Sequence, residues 1–290
     1  MARGLLLIVG AMIVLPGQDT VAKYLSDTLS PGQITWARFL LQVLLTLPIL
    51  LYFRGTSGLV PNRIGPNALR GVLIAASSML FFTAIKFMPI ADAIAVFFIE
   101  PFILTILSAV IDKEQVGWRR RLAVGAGFIG VVIVVQPSWQ VFGAISLLPA
   151  AAGTTFAVYV LLNRRLSLYD TPLTMQFASG ISALVVMTFV LAVGWLTDVA
   201  ELTPSLVDGR ELAFLLLMGM LGTGGHLLFV YGGKLAPSSI IAPLQYVEIV
   251  SAVILGYLVF GDFPTPVKWV GIVIIVGSGA YVFWRESRAR

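Results

Sequence analysis

KFMPIADAIAVFFIE at residues 86–100 and KLAPSSIIAPLQYVE at residues 234–248 decide how this chain reads. A gap-free shift of 148 residues places Lys86 on Lys234, Pro89 on Pro237 and Glu100 on Glu248. Each copy is the end of one apolar helix, a short turn, and a second apolar helix with a glutamate in mid-span. The turn follows because proline disfavours helical backbone in the residue before it. A short charged break comes next in each copy, Asp112-Lys113-Glu114 and Gly261-Asp262, and then a Gly-bearing final helix. The opening helices match more weakly, Ala22-x-Tyr24 against Ala157-x-Tyr159.

The composition around these segments is that of a membrane protein. Of 290 residues, 58% are hydrophobic and 11% charged, and the mean hydropathy is +0.96. Soluble domains carry about 25% charged residues, so too little polar surface is available to cover a soluble fold. The net charge of +5 comes from Lys and Arg in short breaks between apolar runs. No basic stripe with interleaved aromatics accompanies them, so they read as orientation signals and not as a nucleic-acid footprint. With no cysteine and one histidine, thiol catalysis, disulfides and multi-His metal sites are excluded. The run from Gly4 to Leu15 after Arg3 has the look of a leader. It lacks a small-x-small cleavage site before Pro16-Gly17-Gln18-Asp19, and is expected to stay as the first span.

A crossing helix needs about 20 apolar residues. Runs bounded by Pro, Gly and charge give ten candidates, near 4–25, 31–53, 67–87, 91–111, 119–136, 143–163, 172–196, 212–233, 237–260 and 267–284. With the N-terminus in the cytoplasm, fourteen Lys and Arg fall inside. Only Lys23, Lys86, Arg210 and Lys268 fall outside, and Arg38 lies within a span. The positive-inside rule then places both termini in the cytoplasm. The expected fold is an all-α polytopic membrane protein of ten transmembrane helices, built as two inverted five-helix repeats over residues 1–138 and 139–290. Five spans per copy is odd, so the second copy enters the membrane upside down. Inverted repeats suit alternating access about a midplane site.

On the two Lys-x-x-Pro turns at Lys86 and Lys234, the mid-span Glu100 and Glu248, and the charged breaks, the chain resembles the drug/metabolite transporter superfamily. The likeness is to its ten-helix EamA-type members and covers essentially the whole length. The opening helix, Pro16-Gly-Gln-Asp19-Thr-Val-Ala-Lys23-Tyr-Leu, is similar to a subgroup that takes up riboflavin or S-adenosylmethionine. That resemblance implies a secondary transporter of the bacterial inner membrane. It also implies a central cavity lined by the first, third, fourth, sixth, eighth and ninth helices, with the fifth and tenth peripheral.

Ionisable groups inside a membrane are costly and are functional candidates by default. Glu100 and Glu248 lead, as substrate-binding or proton-coupling groups. On continuous helices Phe97 would share a face with Glu100, and Gln245 with Glu248; the alternative is a structural glutamate paired with backbone. Asp19 and Lys23 are i, i+4 neighbours, and Asp19 and Arg38 lie at similar depths, so these three are expected as a gating or structural ion pair. His226, after Gly222-Thr223-Gly224-Gly225, is either a packing residue or a cavity group, and Tyr159 is a further cavity candidate. Thr154 and Thr155 are as readily bonded to backbone. Gly125-x-Gly127-x-x-Gly130 matches a dinucleotide fingerprint in letters. It lies inside an apolar span and not in a strand–turn–helix context, so Ala123-xxx-Gly127 and Ala126-xxx-Gly130 read as helix-packing motifs.

No catalytic residues, metal or cofactor are expected, and the chain is not read as an enzyme. The expected partners are a small-molecule substrate and the lipid bilayer, with no nucleic acid and a homodimer left open. An amino-acid or metabolite exporter of the same superfamily is the alternative function.

Overall fold

The computed structural model describes residues 2–111, 117–235 and 247–288. The described helices are α1 (Ala2–Leu25), α2 (Pro31–Arg54), α3 (Ile64–Phe87), α4 (Ile90–Phe97), α5 (Glu100–Ile111), α6 (Trp118–Phe142), α7 (Leu148–Leu166), α8 (Pro172–Thr197), α9 (Gly209–Leu235), α10 (Val247–Phe260) and α11 (Pro266–Arg288). Asp112, Lys113, Glu114, Pro237 and Gln245, which the sequence reading used, lie outside the described residues.

Local chemistry sets the helix ends. Before α2, Ser30 accepts a hydrogen bond from the Gln33 backbone N–H at 3.2 Å, with Pro31 opening the helix. Before α8, Thr171 does the same for Thr174 at 3.4 Å, with Pro172 in the equivalent place. Both are N-caps that satisfy an otherwise orphaned donor. α2 and α6 stop at Gly55 and Gly143, whose φ of 64° and 60° lie where a side chain would be strained.

The expectation of ten transmembrane helices is corrected to seven. Among the described residues, seven helical stretches are long and apolar enough to cross a membrane. They are α1, α2, α3, the α4–α5 pair, α7 with its lead-in, α8 and α9. Three further apolar helices are shorter, at 121–136, 247–260 and 266–281. Counted over the described residues, these three fall in the range of 10–17 residues. At ~1.5 Å per residue, such stretches fall short of the ~30 Å hydrocarbon core. The span expected at 91–111 is also not one helix: it breaks at Phe98-Ile99 between α4 and α5.

The packing repeats itself. α1 lies along α9 as α3 lies along α7, and α2 meets α9 as α3 meets α8. α1 packs on α10 as α7 packs on α4 and α5, while α2–α8, α6–α11 and α4–α10 are self-paired. Exchange of the two halves therefore maps these contacts onto one another, while α2–α3 and α4–α6 have no such counterpart among the described residues.

The surface is inside-out relative to a soluble protein. Phe189 and Leu258 are 70% and 72% exposed, while Thr35, Thr46, Asn67 and Arg70 are buried. Glycines let the backbones close up. A Cβ on Gly71 of α3 would meet Ser182 Cβ at 2.4 Å and the Ser179 carbonyl at 2.7 Å of α8. The supposed dinucleotide glycines are used for packing: Gly127 faces the Phe102 ring and Gly130 the Gly271 carbonyl. Gly71→Val should lower the thermal midpoint in detergent by the equivalent of about 1–3 kcal/mol of overpacking. Gly125→Val, with nothing within 4 Å of its added Cβ, should leave it nearly unchanged.

Candidate functional site

Arg38, two turns into α2, is buried among three helices. Its Nη1 donates to Ser78 of α3 and its Nη2 reaches His226 Nε2 of α9 at 2.9 Å. Guanidinium has no acceptor, so Nε2 of His226 accepts and the ring proton sits on Nδ1. The guanidinium also lies over the rings of Phe39 and Phe82, at 5.1 and 5.8 Å, a cation–π setting that offsets lost hydration.

The expected Asp19, Lys23 and Arg38 group does not form a contiguous pair. Among the described residues no hydrogen bond or ion pair joins Asp19 to either base. Asp19 accepts instead from Gln18 Nε2 at 3.0 Å and feels Arg38 only through space. Gln18 Oε1 is buried without a hydrogen-bond partner among the described residues. It fits because Gly222 has no side chain: a Cβ there would lie 2.0 Å from it. The small residues before His226 thus serve the α1–α9 contact.

Glu100 opens α5 at the helix break. Pro101 cannot donate a backbone hydrogen bond, and a carboxylate in the first turn faces the positive end of the α5 dipole. Half-helix ends of this kind form ion and substrate sites in transporters. Glu100 is buried, and Glu248, in the first described turn of α10, is partly buried. α10, which carries Glu248, packs on α1, which carries Asp19, and on α4, which ends at Phe97 just before Glu100. Gly153 of α7 holds the break close: a Cβ there would meet the Phe97 carbonyl at 2.4 Å.

From the break an aromatic ladder descends along α7. Phe97 contacts Phe81 at 5.5 Å and Phe156 at 5.4 Å, and Phe156 stacks on Tyr159 at 5.4 Å. Tyr159 accepts from Arg70 Nη2 at 3.2 Å, with the guanidinium over its ring at 5.0 Å. Thr154 and Thr155, by contrast, bond the carbonyls of Ala150 and Ala151, each at 2.8 Å.

Polar clusters close both ends of this column. At one end Lys23 donates to Asp262 at 2.9 Å and to the Met88 carbonyl at 3.1 Å, and Lys268 pairs with the buried Asp92. At the other, Arg70 donates to Asn67 and the Met175 carbonyl, and Asn67 donates to Asp170 at 2.9 Å. Eighteen helical residues separate Arg70 from Met88, or ~27 Å.

The EamA-like transporter family model matches residues 2–136 and again 142–284. The chain belongs to the EamA-like transporter family. It is 26% identical over 279 residues to the S-adenosylmethionine uptake transporter of Rickettsia felis, covering 96% of this chain and 92% of that one. It is 28% identical over 277 residues to the riboflavin transporter of Vibrio cholerae serotype O1, covering 94% and 90%. A crystal structure at 16% identity matches over 100% of this chain and 99% of its own with a TM-score of 0.64, a likeness of fold. Family membership makes this chain a multi-pass inner-membrane secondary transporter of a small organic metabolite with an inverted-repeat architecture, not an enzyme.

Sequence reasoning overlooked Asp92, Asp262, Lys268, Asn67, Arg70 and Asp170. Asp92 could have been found as a lone charge inside an apolar run; the others sit near span ends, where charge is ordinary. In the EamA-like carrier the Asp92–Lys268 pair is buried, so removing one partner strands a charge. Lys268→Met should cost about 3–5 kcal/mol, and Asp92→Leu/Lys268→Met should recover most of it, read as detergent melting midpoints.

Proposed function

We propose that this carrier takes up a metabolite with a flat aromatic ring system, of the S-adenosylmethionine or riboflavin class, by alternating access between halves 1–138 and 139–290. The observation that carries the reading is the meeting of α1, α4 and α10, which brings Asp19, Glu100 and Glu248 toward the head of the Phe97–Phe156–Tyr159 ladder. Rings stack favourably on such side chains, and carboxylates in a low-dielectric setting select a substrate's cationic or hydrogen-bond-donating groups. Relatives at 25–28% identity carry S-adenosylmethionine or riboflavin by name, which supports the same class here.

In this reading Glu100 and Glu248 bind the polar head or exchange a proton with it. Phe97 and Tyr159 contact the ring, and His226, held by Arg38, is a further contact for the substrate. The Lys23–Asp262 cluster acts as the gate at one end, in place of the Asp19–Lys23–Arg38 pair the sequence suggested. Both termini are cytoplasmic on the strength of the Lys and Arg bias alone.

The test is uptake by purified protein in liposomes, with labelled S-adenosylmethionine, riboflavin and a neutral amino-acid mixture. Saturable uptake of one of the first two is expected. It should fall at least about tenfold in Glu100→Gln/Glu248→Gln, the ~1.4 kcal/mol scale of one contact to a charged group. Transport of the amino acids alone would favour the exporter reading. Equal rates in wild type and double variant, with and without a proton gradient, would remove the carboxylates from the mechanism.

A further inference from the structure

Two loops reach from one half of the chain onto the other, one at each end of α2. The first, residues 198–208, joins α8 to α9 and is seated on the start of α2. Gly32 donates its backbone N–H to the Glu201 carbonyl at 2.9 Å. Gln33, itself buried, grips the same loop with both ends of its amide. Its Nε2 donates to the Ser205 carbonyl at 2.8 Å, and its Oε1 accepts from the Ser205 N–H at 2.9 Å. Leu202 is wedged between two glycines. A Cβ on Gly32 of α2 would lie 3.2 Å from Leu202 Cα, and one on Gly194 of α8 would lie 2.2 Å from Leu202 Cβ.

The second loop, residues 55–63, joins α2 to α3 and is seated on the turn between α7 and α8. Asn62 donates its backbone N–H to Asp170 at 2.7 Å and its Nδ2 to the Tyr169 carbonyl at 2.7 Å. Leu59 packs on Leu50, Leu173 and Phe177, the last two in the opening turns of α8. Each loop also leads into an arginine laid over a tyrosine of the other half: Arg63 over Tyr169 at 4.8 Å, and Arg210 over Tyr24 at 5.5 Å. Arg210 donates to the Tyr24 hydroxyl as well. The two loops are thus fastened by the same chemistry, an amide, a leucine and an arginine. They sit at opposite ends of a 24-residue helix, ~36 Å apart along its axis.

We propose that these loops are reciprocal latches of the carrier. The 198–208 loop holds the Gln33 face shut, the 55–63 loop holds the Asn62 face shut, and each half of the transport cycle unfastens one of them. Such latches rest on the alternating-access reading, and they say how each face is kept closed. When halves 1–138 and 139–290 rock, a contact that crosses between them at the opening face must part, and both fastenings cross. A loop tied only within its own half would ride along with it. Hydrogen bonds at a helix end suit a reversible latch, because each is exchanged for one to water. One such bond shifts a two-state equilibrium by roughly two- to tenfold. The Leu202 wedge adds shape to the polar clip, since the loop seats fully only while Gly32 and Gly194 flank it. The ion pairs Lys23–Asp262 and Asp92–Lys268 close the column itself; the latches set how often each face opens.

The chain has no cysteine, so one placed in the aromatic ladder, Phe156→Cys, reports which face is open. The full-length protein in sealed right-side-out or inside-out membrane vesicles is exposed to a membrane-impermeant maleimide, and labelling at position 156 is read by mass spectrometry. No substrate is needed. Gln33→Ala should raise labelling from the Gln33 face by roughly two- to tenfold and lower it from the other. Asn62→Ala should do the opposite, and the two together should return the wild-type ratio. A Gly32→Cys/Leu202→Cys disulfide, within reach at the 3.2 Å approach of these positions, should block labelling from the Gln33 face until it is reduced. Labelling from both faces that these changes leave alone, or shift in one direction, would overturn the latches and leave the alternating-access reading standing. Labelling from a single face in every variant would overturn that reading together with the latches.

Discussion

The fold depends on how a permanently charged guanidinium is held inside a protein that has almost no water to offer it. Arg38 is bonded to Ser78 and to His226 and lies over two phenylalanine rings. Through these contacts α2, α3 and α9 are pinned at one level. An unsatisfied charge in hydrocarbon is far more costly than any packing gain around it. The three helices therefore move together or exchange these contacts as a set. The neighbouring Asp19 balances the charge through space and not by contact, from a helix that packs on α10 and so on the element that carries Glu248.

That arrangement explains why the helix carrying Glu100 is broken. A continuous helix would bury its backbone groups within itself and leave the carboxylate projecting from a smooth cylinder. The Phe98-Ile99 break makes Glu100 a first-turn residue, where the α5 dipole and the approach of Gly153 support it. Irregular backbone at membrane depth is tolerated only where protein or a polar path surrounds it. Its occurrence here, at the head of an aromatic ladder, supports the proposed transport path better than any one side chain does. The ion pairs Lys23–Asp262 and Asp92–Lys268 and the Asn67–Arg70–Asp170 network then stand at its two ends. Neither end can part without breaking a buried polar contact.

The periphery follows a different rule. α6 and α11 pack through Gly130 and Gly271 and turn apolar side chains outward. They carry no candidate transport residue.

By itself the sequence determined the membrane setting, the duplication and the mid-span glutamates. Hydropathy and spacing are local properties, and a carboxylate inside an apolar run is conspicuous wherever it occurs. The helix starts near 31 and 172 were equally legible, since proline marks them locally. Only the tertiary structure decided the partners: that Lys23 meets Asp262 across 239 residues, that Arg38 meets His226 across 188, and that Arg70 meets Tyr159 across 89. Chain distance carries no information about which buried charges will be forced together. That choice is made by helix packing, where glycines set the approach and each stranded polar atom must find whatever donor or acceptor the neighbouring helix presents.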